Sequence, residues 1–228
     1  IALLTIIITK VGEFMKKLCF TLIIFMFSLC IKGSYVYDED DIYIRVHNVV
    51  DFCESGIKIS YKTKSDIREI LQQISDLNIS YFNNTLKIDE NMGDNFSFEE
   101  ETDKASTKIL IAKDVNEYTA EMEIIDKQKL INISEIKLKC RKLNNISNLN
   151  YYTFIKGKVK KQYKYELEDR LFNILDCYNI KNKSNVSLEN GLTGIFTVQK
   201  TLKINYSIMN YDDGTYLIMG SPIIFITY

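Results

Sequence analysis

The stretch "SNVSLENGLTGIFTVQKTLKINYSIMNYDDGTYLIMGSPIIFITY", Ser184 to Tyr228, decides how this chain folds. Four runs, "SNVSLE", "LTGIFTV", "LKINYSIMNY" and "TYLIMGSPIIFITY", follow one another with almost nothing between them. Asn190-Gly191 separates the first pair and Asp213-Gly214 the last. Both dipeptides signal hairpins, because their residue types accept positive φ. The runs therefore predict a four-strand antiparallel meander. The chain's one proline, Pro222, falls inside the last run. It cannot donate a ladder hydrogen bond, which predicts an edge strand or a bulge.

Working outward, Lys161 to Tyr178 predicts a helix, with Tyr163, Leu167, Leu171, Ile174 and Tyr178 in line. Before it, "YYTFIKGKV" reads as a strand. "ISEIKLKCRKL" reads as a helix through Ile133, Ile136, Cys140 and Leu143, although Ile136, Leu138 and Cys140 also alternate. The first half carries the same order. Ile42, Val46, Val49, Val50 and Cys53 predict a helix ended by Gly56, with Asp38 to Asp41 as acidic capping. "IKISYK" from Ile57 is a strand. Ile67, Ile70, Leu71, Ile74 and Leu77 mark a second helix capped by Ser65 or Asp66. "TLKIDE", "FSFEEE", "TKILIAKD" and "YTAEMEIID" form a second four-strand meander.

The two halves, about 35–130 and 131–228, thus both read α-β-α-β4. Their main helices share spacing, Leu71, Ile74 and Asp76 against Leu171, Ile174 and Asp176, followed by Asn78-Ile79 against Asn179-Ile180. The expected fold is an internally duplicated α+β domain over 35–228. Helices cover one face of its antiparallel sheets and leave the other open.

Composition narrows the function classes. The chain has 228 residues, 46% hydrophobic and 26% charged, an ordinary globular mixture. No tryptophan is present, and the richness in Ile, Lys, Asn and Tyr is the bias AT-rich codons produce. Asn-x-Ser/Thr triplets such as Asn132-Ile133-Ser134 and Asn205-Tyr206-Ser207 are read as products of that bias.

"MKKLCFTLIIFMFSLCIKGS", from Met15 to Ser34, has the charged, apolar, small order of a secretory signal. Its apolar run, Leu18 to Ile31, is short for a membrane span, though an uncleaved anchor stays open as the alternative. Leu29 before Cys30 is too large for a lipoprotein site. Residues 1–14 are expected to be an upstream extension. Gly12-Glu13-Phe14 before Met15 can be encoded with a purine-rich ribosome-binding stretch. The expected location is outside the cytoplasm, either secreted or anchored to the membrane by residues 15–34.

Removing Lys10, Lys16, Lys17, Lys32 and Glu13 leaves 25 basic and 29 acidic residues over 35–228, a net of −4. That balance carries no footprint for nucleic acid, which is not expected as a partner. Cys53, Cys140 and Cys177 remain beyond the signal. Their wide spacing gives no disulfide framework and no zinc pattern, and each is expected to be a small buried hydrophobe.

The signal, a first helix ending in "ESG", the late "GLTGIF" and above all the terminal "DGTYLIMGSPII…Y" resemble the YwmB-like family of exported proteins from Gram-positive, spore-forming bacteria. The resemblance spreads over most of residues 35–228 and is specific in the C-terminal hairpin. It implies a duplicated saddle similar in architecture to the TATA-box-binding protein. That family has no assigned function, so the resemblance supplies no catalytic or ligand-binding residues.

The candidate chemistry is thin. His47, the one histidine, lies beside the apolar stripe of the first helix and reads as a surface residue. No nucleophile elbow accompanies it. Asp38-Glu39-Asp40-Asp41 and Glu99-Glu100-Glu101 lack the alternating ligands and central glycine of a calcium loop. The first is better read as a helix N-terminus and the second as the solvated end of a strand. Asp212 and Asp213 sit adjacent on a turn, where carboxylates point apart rather than facing one another as glycoside hydrolysis needs. "GLTG" at Gly191 to Gly194 belongs to a hairpin, not to a phosphate loop. No catalytic, metal or cofactor-binding residue is assigned, and no cofactor is expected.

Phe96, Phe98, Tyr206, Tyr216 and Phe225 on strands either fill a core or line the open sheet face. The leading reading is a non-enzymatic envelope protein that binds a protein or cell-wall partner. The alternatives are a carboxylate-dependent cell-wall hydrolase, and nucleic-acid binding by fold analogy alone.

Overall fold

Two strands of fourteen residues, β1 (Val50–Thr63) and β5 (Ile146–Val159), run antiparallel side by side and join the two halves of the chain. The structure, a computed structural model, describes residues 39–77, 79–82, 93–160, 166–199 and 201–226. Around the central pair lie β2 (Asn95–Glu101), β3 (Ala105–Asp114), β4 (Glu117–Asp126), β6 (Ile180–Leu188), β7 (Gly191–Val198), β8 (Leu202–Tyr211) and β9 (Gly214–Ser221). The nine strands form one sheet in the order β2-β3-β4-β1-β5-β9-β8-β7-β6, antiparallel at every step. Four α-helices accompany it among the described residues: α1 (Glu39–Val46), α2 (Ile67–Asp76), α3 (Ile133–Cys140) and α4 (Leu167–Leu175). The protein is α+β.

Side chains alternate along a strand, so each strand offers one face to the helices. Ile57, Ile59 and Tyr61 of β1 stand opposite Ile124, Met122 and Ala120 of β4, and all six are buried. Ile155, Met219 and Tyr206 continue the same face across β5, β9 and β8. Ile42, Tyr43 and Val46 of α1, with Ile70, Leu71 and Ile74 of α2, pack into this core. Full burial of such a side chain contributes roughly 1.5–3 kcal/mol. The Tyr43 hydroxyl lies 3.0 Å from Thr153 Oγ1, tying α1 to β5.

Helix ends follow the local sequence. Asp66 caps α2 by accepting from the Glu69 N–H at 2.9 Å, and Asn132 caps α3 through the Glu135 N–H at 2.9 Å. Leu138, the odd residue of the alternating Ile136-Leu138-Cys140 pattern, is exposed, which is what the helix requires.

Among the described residues, one core polar group lacks a partner. The Tyr61 hydroxyl is buried with no hydrogen bond, and burial raises its pKa. Leaving such a group unpaired costs about 1–3 kcal/mol. Tyr61→Phe is therefore expected to raise stability by about 1 kcal/mol. Urea denaturation of the two proteins checks it.

Several expectations are corrected. The first helix stops at Val46, and Val50 to Cys53 belong to β1. Val50 pairs with Val159, and this distant partner outweighs a helical spacing that the valines satisfy equally well. Gly56 ends no helix. It sits within β1 opposite Phe154, where a Cβ would overlap that ring.

Both hairpin turns lie one residue earlier than expected, at Glu189-Asn190 and Asp212-Asp213, closed by Leu188–Gly191 and Tyr211–Gly214. The last strand ends at Ser221, before Pro222, and β9 is interior, between β5 and β8. The proline thus removes no ladder donor, and the Ser221–Pro222 peptide is cis. The two meanders form one continuous sheet rather than separate sheets. The last turn before Asn179, Asp176–Tyr178, is 3-10 rather than α. Residues 161–165 of the expected helix, the "TLKIDE" strand and the segment 15–34 lie outside the described residues.

Candidate functional site

Because Thr153 and Tyr206 point toward the helices, their strand neighbours point to the other side of the sheet. That second face carries no described helix, and its two halves differ in chemistry.

On the first half the strand register builds a row of alternating charge. Glu99 of β2 stands opposite Lys108 of β3, which stands opposite Glu123 of β4, which stands opposite Lys58 of β1. Lys108 reaches Glu99 at 3.3 Å, and Lys58 reaches Glu121 at 2.8 Å. Such part-exposed pairs are each worth about 0–1 kcal/mol and mainly fix the local pattern. Together with Ser106 and Leu110 these residues line a depression of about 190 Å³.

Desolvation at the half-buried Glu123 raises its carboxyl pKa, against the pull of Lys58 and Lys108 and helped by Glu121 and Glu99. The protonated form thus contributes stability that is fully present below the unfolded glutamate pKa and lost as pH rises through the folded value. Glu123→Gln, which keeps the uncharged shape, is expected to stabilise the protein slightly near neutral pH. That advantage disappears below the ordinary glutamate range. Thermal melts of both proteins at neutral and acid pH check it.

On the second half the face is aromatic and basic. Lys158 of β5 stands opposite Tyr216 of β9, which stands opposite Met209 of β8. The Tyr216 ring has the Lys156 and Lys158 ammonium groups 5.9 and 5.6 Å from its centroid. Tyr211 meets it edge-on at 5.5 Å. The Tyr216 hydroxyl donates to Asp213 at 2.6 Å, and Lys158 donates to the same oxygen at 3.1 Å. The bond from Tyr216, then the one from Lys158, lowers the Asp213 carboxyl, and the Asp213 bond pushes the Tyr216 phenol up to about 12.

Between these regions lies Phe154, with Gly56 on one neighbouring strand and Gly220 on the other. Phe225 meets its ring edge-on at 5.1 Å. Asn205 Nδ2 donates to the Pro222 carbonyl, and a Cβ at Gly220 would lie 2.9 Å from Ile224. Residues 222–226 therefore run over the helix-free face.

Of the five aromatic candidates, only Tyr216 and Phe225 occupy that face. Phe96 and Phe98 share the side of Ile111 and Ile109 and pack against the core. Tyr206 is fully buried against Phe172 and Phe196, with its hydroxyl bonded to Glu168 at 2.8 Å. Sequence reasoning passed over Tyr211, Phe154, Lys156 and Lys158, although each shares the face of Tyr216 once the register is known.

The remaining candidates fall to structural roles. His47 is exposed, its ring 6.0 Å from that of Phe52. Cys140 is buried, and burial pushes its thiol up to about 12. Cys53 is half-buried and Cys177 is exposed, contrary to the expectation for all three, and all are free thiols.

Glu39 pairs with Lys137 at 2.7 Å. Asp40 accepts from the Ile133 and Ser134 N–H groups at 2.9 and 2.7 Å, so an α1 carboxylate caps α3. Asp38 lies outside the described residues. Glu101 pairs with Lys127 at 2.9 Å. Among the described residues no group of three His, Cys, Asp or Glu side chains is placed to hold a metal ion, and no helix is long and apolar enough to cross a membrane.

No family model matches the chain, and no curated protein is significantly similar to it.

Proposed function

We propose that this protein is an exported envelope protein that binds a protein or cell-wall partner through the helix-free face of its sheet, without catalysing a reaction. The observation that carries this reading is the chemistry of that face. It joins a Tyr216–Lys156–Lys158 corner to an ordered Lys–Glu row. Aromatic rings flanked by cations suit a partner with both apolar and anionic groups. The order of residues 15–34 supports export, with either cleavage or retention as an anchor.

The resemblance to the YwmB-like family supports the same location. An internal duplication, as in a TATA-box-binding-protein-like saddle, is supported by a strand order that mirrors about the β1–β5 pair, with β4 flanking β1 as β9 flanks β5. The alternating signs on the first half speak against nucleic acid.

Fractionation of cells producing the full chain, with mass spectrometry of its N-terminal peptide, tests the location. The expected chain starts near Ser34 or Tyr35 in the wall or medium, or at Met15 on the membrane. Soluble cytoplasmic protein with Met15 intact contradicts the proposal.

A second reading, a carboxylate-dependent wall hydrolase, is favoured by one observation, Glu121 and Glu123 side by side in the depression with the Glu123 pKa raised. Release of soluble fragments from wall material by the native protein and not by Glu123→Gln would support it over the first.

A further inference from the structure

The sheet's two described edges are unequal. β2 ends in Glu99, Glu100 and Glu101, a run of like charge that repels another strand. β6 forms the other edge, and its protection covers only its first half. Lys181 and Lys183 lie there, Asn182 takes a positive φ of 51°, and the register against β7 shifts between Lys181 and Ser184. From Ser184 to Leu188 the strand pairs regularly with β7 and carries no charge, no proline and no bulge. Val186 is 63% exposed and Leu188 43%, two apolar side chains left in water on an open edge.

The direction of the free backbone groups follows from the turn. The two-residue connection makes Leu188–Gly191 a hydrogen-bonded pair, so Val186 and Ser184 also bond to β7. The N–H and C=O groups of Asn185 and Ser187 then point away from the sheet. A second β6 laid antiparallel and centred on Val186 brings Asn185 of one copy opposite Ser187 of the other. Outward groups meet outward groups. The same register sets Val186 against Val186 and the exposed Leu188 against Ser184. It also places Lys183, paired with Glu168 of its own copy at 3.3 Å, beside Glu189, so opposite charges flank the pair on both sides.

From this complementarity we propose that the protein self-associates across a two-fold axis at Val186, joining two nine-stranded sheets edge to edge through β6. The partner is a second copy of this chain, because a reversed copy of this strand supplies both the apolar centre at Val186 and the Lys–Glu flank. The proposal is independent of what the helix-free face binds.

Cysteine cross-linking of the full chain tests it, with Cys19, Cys30, Cys53 and Cys177 changed to serine, which leaves buried Cys140 as the one native thiol. Val186 faces itself in a non-hydrogen-bonded pair about 4.5 Å apart, which a disulfide can span. Val186→Cys is expected to give a disulfide-linked dimer under mild oxidation at least tenfold faster than Val115→Cys, an 84% exposed position on another turn. Adding Ser187→Pro removes an outward donor while leaving the bonds to β7. It is expected to abolish the cross-link with the thermal midpoint held. Equal rates for the two cysteines, or a cross-link that survives Ser187→Pro in the folded protein, would overturn the proposal.

Discussion

Phe154→Ala is expected to cost about 3–5 kcal/mol, the range for removing a fully buried phenylalanine. The ring is 0% exposed although it points away from the helices. Its cover comes from the chain itself. Gly56 leaves room on β1, Phe225 closes the ring edge-on, and Ile224 lies against Gly220. Truncation therefore opens a cavity at the join between the two halves and removes the anchor of the C-terminal residues. Urea denaturation should show a large drop in midpoint. A change below about 1 kcal/mol would mean that the ring is not enclosed in this way. Gly56→Val approaches the same site from the other side, by filling the space the ring occupies, and is expected to cost about 1–3 kcal/mol.

Asp126→Ala is the second large effect, expected at about 3 kcal/mol. The carboxylate is buried at the end of β4 and accepts from the Tyr81 hydroxyl at 2.5 Å and from the Gln128 and Lys129 N–H groups at 2.8 and 2.9 Å. These bonds fix the chain where it leaves the first meander for α3. Hydrogen bonds to a charged group contribute roughly 1.5–3 kcal/mol each, and alanine leaves all three donors without their acceptor. Asp126→Asn keeps an acceptor oxygen and is expected to fall between wild type and alanine. Equal stability of Asp126→Ala and wild type would contradict this role.

Much of the architecture was legible because it rests on local pattern. The alternation in "TKILIAKD" and "LKINYSIMNY" and the helical spacing of Ile67 to Leu77 correspond to β3, β8 and α2. What failed depended on partners distant in sequence. Val49 and Val50 satisfy helical spacing, and only Val159 opposite Val50 decides for a strand. Gly56 looks like a helix terminator until Phe154 is placed over it.

Pro222 signals the end of β9 rather than an edge, because it follows the last ladder pair, Thr153–Ser221. For the candidate site, composition identified tyrosines and phenylalanines but not their side of the sheet. Parity along β8 separates buried Tyr206 from half-exposed Tyr211, and that parity needs the register with β9. Lys156 and Lys158 drew no notice alone, since their meaning lies in Tyr216 across the ladder.

The central claim, that the helix-free face meets a partner in the envelope, is tested most directly by amine labelling of the full chain in intact cells and after purification, read by mass spectrometry. Lys58, Lys108, Lys156 and Lys158 on that face are expected to react more slowly in cells than in purified protein, while exposed Lys142, in the turn just after α3, reacts equally in both. Equal labelling of all five lysines in the two states, or protection confined to Lys142, would contradict the account.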